Sequence, residues 1–402
     1  MTILDTENRI RRLIWFGAFA LCALTVLTIT VAVALARWGV LDRPPNKTVG
    51  QPGGKACLVA RGDVISRAAW SADGREVAFS RLDTSLWPVL RYFLTGGRKP
   101  RSAVRNAPMH LEAVDAAAGV KRRIFHGSMP EMPSVASWSR HGYVYADVAA
   151  AFLKPGSDVS TIWAIHAASG VSRQLTTGHR DLAPIASPNG HTIAFTRGEL
   201  GRRSLFVMPA GRGALARVAT DVDHFHPFEW AGDGEIVFLS RPPRAGSDAS
   251  DAVRGIGIVD IRTRHVRSLL RAGRITGFCV VGDEAAYAAN LRPGANGEWL
   301  GSRFRLVDLR TGRTRSLGAM EGRSAYYLRA GPDHSVLFLS PSLGRRAIRG
   351  DVYRMDLGGK LTRLTDFGDV VQLYASPRGA FVAFLRRDQP QRESLWVMQV
   401  GG

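Results

Sequence analysis

One short pattern recurs through most of this chain, and it constrains the fold more than any other feature. Residues 68–81 (AAWSADGREVAFSR), 136–147 (ASWSRHGYVYAD), 184–197 (PIASPNGHTIAFTR), 228–241 (FEWAGDGEIVFLSR), 278–290 (FCVVGDEAAYAAN), 328–340 (LRAGPDHSVLFLS) and 373–386 (LYASPRGAFVAFLR) align on one template. Trp70, Trp138, Ala186, Trp230, Val280, Ala330 and Ala375 share one register, at intervals of 68, 48, 44, 50, 50 and 45 residues. After each marker comes a polar tight turn, such as Ala72-Asp73-Gly74 or Pro188-Asn189-Gly190, whose residues accept hairpin backbone angles. The strand beyond it is often apolar on consecutive residues, as in 236–239 (IVFL) and 381–384 (FVAF). Such runs imply burial on both faces.

Second hairpins lie between these, at 110–125, 161–176, 204–220, 255–270, 304–318 and 351–365, and they alternate apolar and polar residues more cleanly. That is the pattern of outer strands with one wet face. A four-stranded unit with a period of about 40–50 residues predicts an all-β propeller. The seven copies predict seven blades, with six as the alternative. The last copy ends on a single outer strand, 394–400 (SLWVMQV), so its fourth strand has to come from elsewhere. Residues 55–61 (KACLVAR) have the length to pair with that edge, which would otherwise template aggregation; an irregular lead-in is the alternative.

Ahead of the repeat, residues 13–40 contain 24 uncharged residues before Arg37. At about 1.5 Å per helical residue this run exceeds a hydrocarbon core of roughly 30 Å. It predicts one transmembrane α-helix at 13–40, with 1–12 as a cytoplasmic tail, 41–54 as a Pro/Gly-rich linker and 55–402 as the propeller. Arg9, Arg11 and Arg12 crowd the N-terminal flank, whereas Arg37, Arg43 and Lys47 are diluted by Asp42, Pro44 and Pro45. The positive-inside rule then puts the N-terminus in the cytoplasm and the propeller in the periplasm or outside the cell, in a single-pass protein of a bacterial inner membrane. A cleaved signal peptide is the alternative, because Ala32-Val33-Ala34 and Ala34-Leu35-Ala36 fit a small-residue cleavage pattern.

The formal charge is +20, and all but six of the 54 basic residues are arginine. They are scattered through strands and hairpins with no nucleic-acid module among them, which argues against a nucleic-acid partner. Cys22, Cys57 and Cys279 lie far apart with no metal or redox spacing, and free thiols are expected.

The turns WSADG, ASPNG, WAGDG, AGPDH and ASPRG resemble the W-S-P-D-G turn of TolB-like, WD40-like (PD40) propeller repeats. The outer hairpins ending RQLTTG, TRLTDFGD and ARVATD resemble that family's Leu-Thr exits. The resemblance covers roughly residues 55–402 and implies a propeller that works in the cell envelope through a protein partner. TolB-like proteins with six blades and a preceding α/β domain differ from this chain, and no partner-contact residue transfers from them.

Related propellers precede prolyl-oligopeptidase-type hydrolases, but the chain contains no G-x-S-x-G nucleophile elbow. No cofactor motif is present and none is expected. The densest polar constellation is Asp221-Val222-Asp223-His224-Phe225-His226, on the connection entering the fourth copy. In a propeller such connections share one rim, so 178–181 (GHRD) and 366–369 (DFGD) belong beside it. His224 and His226 fall on one side of an extended strand, and with His179, Asp221 and Asp223 they are candidate metal ligands. The competing readings are a small-ligand or peptide site and a hydrogen-bonded rim. Residues 82–108 form a long insertion in which Trp87, Leu90, Arg91, Tyr92 and Phe93 precede Arg98, Lys99 and Arg101. This apolar-basic mixture suits a partner groove or a membrane interface; packing against the propeller wall is the alternative. The expectation is a non-catalytic, membrane-anchored scaffold that binds another envelope or membrane protein. A ligand-binding or metal-dependent hydrolytic propeller with a His/Asp-rich rim is the alternative.

Overall fold

The hairpins read from the turns become antiparallel strand pairs. This computed structural model describes residues 48–62, 65–82, 109–125, 133–149, 159–177, 179–199, 202–211, 213–223, 228–240, 254–271, 274–291, 301–341, 349–377, 379–389 and 392–400. Strands Ile65–Trp70, Glu76–Leu82, Met109–Asp115 and Lys121–Arg123 form one sheet in that order, and Pro133–Trp138, Tyr143–Ala149, Ser160–His166 and Ser172–Gln174 form the next. Asp181–Ala186, Thr192–Glu199, Arg202–Pro209 and Ala216–Val222 follow. Phe228–Ala231, Glu235–Ser240, Gly255–Asp260 and Val266–Arg271 come after them, joined to the preceding set by one bridge between Val222 and Ser240. Then come Ile275–Val281, Glu284–Asn290, Gly301–Asp308 and Thr314–Glu321, and after these Tyr326–Ala330, Val336–Pro341, Gly350–Met355 and Leu361–Arg363.

The final set is assembled from both ends of the chain. Val370–Ala375, Phe381–Gln389 and Arg392–Gln399 pair in order, and Gly54–Gly62 adds antiparallel to the last of them. Ala56 faces Met398, Cys57 faces Val397 and Leu58 faces Trp396. This is the closure anticipated for residues 55–61. A short strand, Thr48–Gln51, pairs outside it.

The first strands of successive sets lie side by side, and that of the last set adjoins Ile65–Trp70. The sheets therefore stand as blades around a common axis. The marker tryptophans stitch this inner ring: Trp70 Nε1 donates to the Tyr374 carbonyl at 2.9 Å across the closing seam, and Trp230 Nε1 donates to Ile185 at 3.1 Å. A β-bulge interrupts the register of the inner strand in most blades, for example between Ile65 and Ala68 and between Leu182 and Ile185. It increases the local twist, which helps an inner strand follow the ring. The core lies between blades: Val59 and Ala60 of the closing strand, Val77 and Phe79 of the first blade, and Leu385 and Leu395 of the last share one cluster.

Much of the arginine excess has a structural use. Arg122, Arg173 and Arg267 occupy equivalent sites on fourth strands and donate to carbonyls of the following blade, Ala167, Ala210 and Leu309, at 2.7, 2.8 and 2.9 Å. A guanidinium suits this role because its fork serves several acceptors while its plane covers a ring, as Arg173 covers Tyr143. The turn before this strand needs a left-handed residue: Gly119, Gly170 and Gly312 take φ of 67°, 71° and 71°, and Arg264 takes 60° at the matching place.

The membrane expectation is corrected. Regular structure among the described residues is strand apart from one three-residue 3-10 turn, Pro332–His334, and none of their helices is long and apolar enough to cross a membrane. The single-pass anchor and its orientation are not supported, and the run 13–40 that suggested them lies outside the described residues. Length and apolarity license a span without requiring one.

The closing strand should be the most sensitive element at the periphery of the ring. Leu58→Ala, at a position 3% exposed, is expected to lower the unfolding free energy by about 2–5 kcal/mol. Val49→Ala, in the outermost strand, should cost less than about 1 kcal/mol. Chemical denaturation followed by tryptophan fluorescence measures both, and equal effects would contradict ring closure by this strand.

Candidate ligand site at the ring axis

In an up-and-down four-stranded blade, first and third strands start, and second and fourth strands end, on the same rim. Asp147 ends a second strand, Asp181 begins a first, Arg203 begins a third and Asp223 follows a fourth, so topology gathers them on one side. The second strands Glu76–Leu82, Tyr143–Ala149, Glu235–Ser240, Glu284–Asn290 and Val336–Pro341 end on this rim, each followed in sequence by a segment outside the described residues.

Arg67 acts electrostatically on Asp147, Arg203, Tyr327 and Tyr374. These groups belong to four other blades, and only a side chain near the axis reaches so many. Asp147 is 6% exposed and Arg203 8%. Burial raises the Asp147 carboxyl above its ordinary range, opposed by Arg67, by the Ala183 N–H donating to Oδ1 at 3.1 Å, and by Arg203. Burial also lowers the Arg203 guanidinium, and neighbouring Arg180 and Arg67 push it the same way against Asp147 and Asp223. Arg254 binds Asp223 Oδ2 at 2.8 Å and the Ile275 carbonyl at 2.7 Å. Among the described residues, Arg67, Arg180 and Arg203 thus act near Asp147 and Asp223, and of these Arg203, Asp147 and Asp223 are buried.

Further along the axis, Glu229 Oε2 accepts the Val280 N–H at 2.8 Å, while Arg329 approaches Oε1 at 3.9 Å from two blades away. Burial, and secondarily Glu229, pushes the Cys279 thiol well above its usual range, so it packs as an apolar group. Burial likewise pushes the Tyr374 hydroxyl up to about 12, and it donates to Gln372.

The rim carboxylates singled out in the sequence are largely engaged. Asp181 is held bidentate by Arg197 at 2.6 and 2.8 Å, and Asp369 by Arg386 at 2.7 and 2.9 Å. Asp223 is held by Arg254, and Asp221 sits at φ 55° with Thr220 Oγ1 bonded to its carboxylate at 3.1 Å. The His179 carbonyl accepts the Ser160 N–H at 2.9 Å. His224 and His226 lie outside the described residues, as do Trp87, Leu90, Arg91, Tyr92, Phe93, Arg98, Lys99 and Arg101. Among the described residues, no three His, Cys, Asp or Glu side chains converge as metal ligands, so these residues alone do not fit a metal centre. Sequence reasoning missed Arg67, Asp147, Arg203 and Glu229. The available signal was a charge inside an otherwise apolar strand, as in YVYAD and FEWAG.

No family model and no curated protein matches the sequence. Solved structures with the same fold do. An oligogalacturonate lyase in complex with manganese superposes with a TM-score of 0.61 at 11% identity, over 89% of this chain and 96% of that one. The oligogalacturonate lyase of Vibrio parahaemolyticus gives 0.61 at 10% identity, over 89% and 97%. The β-propeller domain of the Trilobed protease from Pyrococcus furiosus, described as having an open velcro topology, gives 0.54 at 12% identity, over 84% and 95%. These matches establish a β-propeller, and the likeness to TolB-like repeats holds at that level of fold.

They also correct the expectation of a non-catalytic scaffold and non-enzyme. That reading rested on a missing nucleophile elbow and a missing hydrolase domain. This fold spans nearly the whole of an enzyme, so a propeller needs neither feature to be catalytic.

Raised carboxylates carry a pH signature. The native state keeps protons on Asp147 and Glu229 that the unfolded chain releases, so stability should fall as the pH rises from the ordinary carboxylate range through the raised native values. Glu229 should contribute less, since 29% of its side chain is exposed. Asp147→Asn and Glu229→Gln keep acceptors for the Ala183 and Val280 N–H groups and are expected to flatten this decline. Denaturation midpoints across a pH series provide the check, and an unchanged slope would count against the assignment.

Proposed function

We propose that this chain is a seven-bladed propeller enzyme that binds and cleaves a carboxylate-bearing oligosaccharide over the end of its axis where the second strands finish. The observation that carries the reading is the gathering of Arg67, Arg180, Arg203 and Arg254, from several blades, around the buried Asp147 and Asp223. Guanidinium groups recognise carboxylates through paired, charge-assisted hydrogen bonds, and those bonds strengthen away from bulk water. Successive uronate units along an oligomer would answer arginines contributed by several blades. The oligogalacturonate lyases with the same fold act on such an acidic chain by name and are matched over almost their full length. The closing strand from residues 54–62 and the strand sets from 65–399 support seven blades. His179, next to Arg180 on this rim, is the group proposed for proton transfer, with His224 and His226 as further candidates from the sequence.

Oligogalacturonate and an uncharged maltooligosaccharide separate this reading from a generic sugar site. Depolymerisation of the acidic oligomer alone is expected, with affinity falling as salt is raised. Arg67→Gln and Arg180→Gln should each weaken binding by about 10-fold or more, the worth of a charged hydrogen bond. Equal binding of both oligosaccharides, binding of neither, or full affinity in both variants would contradict the proposal.

A further inference from the structure

The hairpin turns on the rim opposite the axial site bring two imidazoles together across a blade boundary. His141 lies in the turn between the first and second strands of the second blade, and His191 in the equivalent turn of the third. Their ring centroids are 5.0 Å apart and their planes differ by 38°. Both turns are held. Ser187 Oγ and the His191 N–H donate to Asn189 Oδ1 at 2.8 and 2.9 Å, and the His191 carbonyl accepts the Ala210 N–H at 2.8 Å. The Asn189 N–H donates at 2.7 Å to Asp233 Oδ1 of the fourth blade, which brings a carboxylate to the same turn. The His141 ring lies over Gly190, where a Cβ would come within 2.6 Å of Cδ2, so the glycine leaves the ring its place.

His141 Nε2 stands 3.0 Å from the Asn189 carbonyl oxygen. A carbonyl only accepts, so Nε2 carries the hydrogen and, in the neutral ring, Nδ1 keeps its lone pair. A metal-bound imidazole has this arrangement, with its outer N–H donated to a carbonyl that fixes the tautomer and aims the ring. Two imidazoles that share one ion through metal–nitrogen bonds of about 2.0–2.1 Å have ring centres about 5 Å apart.

We propose that His141 and His191 together bind one exchangeable divalent transition-metal ion of the imidazole-preferring class, copper, nickel or zinc, across the boundary between the second and third blades. Imidazole suits these ions, whereas manganese, magnesium and calcium favour oxygen ligands. His191 is exposed, and its ring turns about the Cα–Cβ bond to present a nitrogen to the ion. Among the described residues no set of three His, Cys, Asp or Glu converges as ligands, so water completes the coordination of a two-imidazole chelate rather than a closed structural centre. An ion held from both turns ties the two blades, and a ligand that binds only the folded ring stabilises it by mass action. His141 precedes the strand that carries Asp147 near its far end, so the site stands apart from the proposed catalysis.

Copper(II) is the first probe, added to the intact, metal-free protein, with chelator competition reading affinity and electron paramagnetic resonance reading the ligands. One ion coupled to two imidazole nitrogens is expected. His141→Ala and His191→Ala, both at exposed positions, should each leave the protein folded, weaken copper binding at this site by about tenfold or more and abolish the two-nitrogen signal. His224→Gln combined with His226→Gln, which removes the histidine pair singled out in the sequence, should leave that signal in place. Zinc should raise the Tm of the parent protein more than that of either alanine variant. A copper signal coupled to one nitrogen or none, full affinity in either alanine variant, loss of the signal in the glutamine double variant, or an equal zinc effect on every Tm would overturn the proposal.

Discussion

The whole arrangement depends on the antiparallel pairing of Gly54–Gly62 with Arg392–Gln399. Each blade buries its faces against its neighbours, so a ring broken at one place exposes two apolar faces and an unpaired strand edge. Phe79, Leu385 and Leu395 are fully or almost fully buried because the closing strand brings the first and last blades together around Val59 and Ala60. The indole of Trp70 repeats that connection at the inner ring. Joining the two ends of the domain converts local hairpins into one cooperative body.

Arginine does two kinds of work in this ring. On outer strands it reaches across to carbonyls of the next blade, and on the rim it grips an aspartate while covering aromatic rings. Arg386, for instance, holds Asp369 and lies 3.7 Å from the centre of the Phe367 ring. These uses account for much of the charge without invoking a partner. What they leave over gathers, among the described residues, around Asp147 and Asp223 at the axis. A strongly basic composition thus resolves into stapling residues and a local concentration at the axis, and only the latter bears on ligands.

The blades were legible because their turns demand particular residues and their second strands are apolar on both faces. The closing strand was legible from a missing partner, since the last copy needed an edge that residues 55–61 supplied. The rim aspartates were harder to read. Asp181 and Asp369 look like free ligands in sequence, yet Asp181 stands opposite Arg197 in the first hairpin of its blade, and Arg386 reaches Asp369 in the same way. Cross-strand register, rather than proximity in sequence, reveals those pairs. The grouping of Arg67, Asp147 and Arg203 was not legible, because they come from three blades and are brought together only when the ring closes, even though Asp147 stands out as a charge in an apolar strand. The non-enzyme expectation failed for a related reason: a missing elbow motif excludes one chemistry, whereas a site assembled from several blades leaves no contiguous motif.

In the proposed function, charge gathered at the axis by ring closure receives an acidic oligosaccharide. Hydrogen exchange of the intact protein with and without trigalacturonate tests it most directly, since protection reports where the ligand sits. Slower exchange confined to backbone amides around Arg67, Asp147, Arg180 and Arg203 is expected, with the strand turns on the opposite rim unchanged. Protection at the opposite rim, or no change at any amide under saturating ligand, would contradict it.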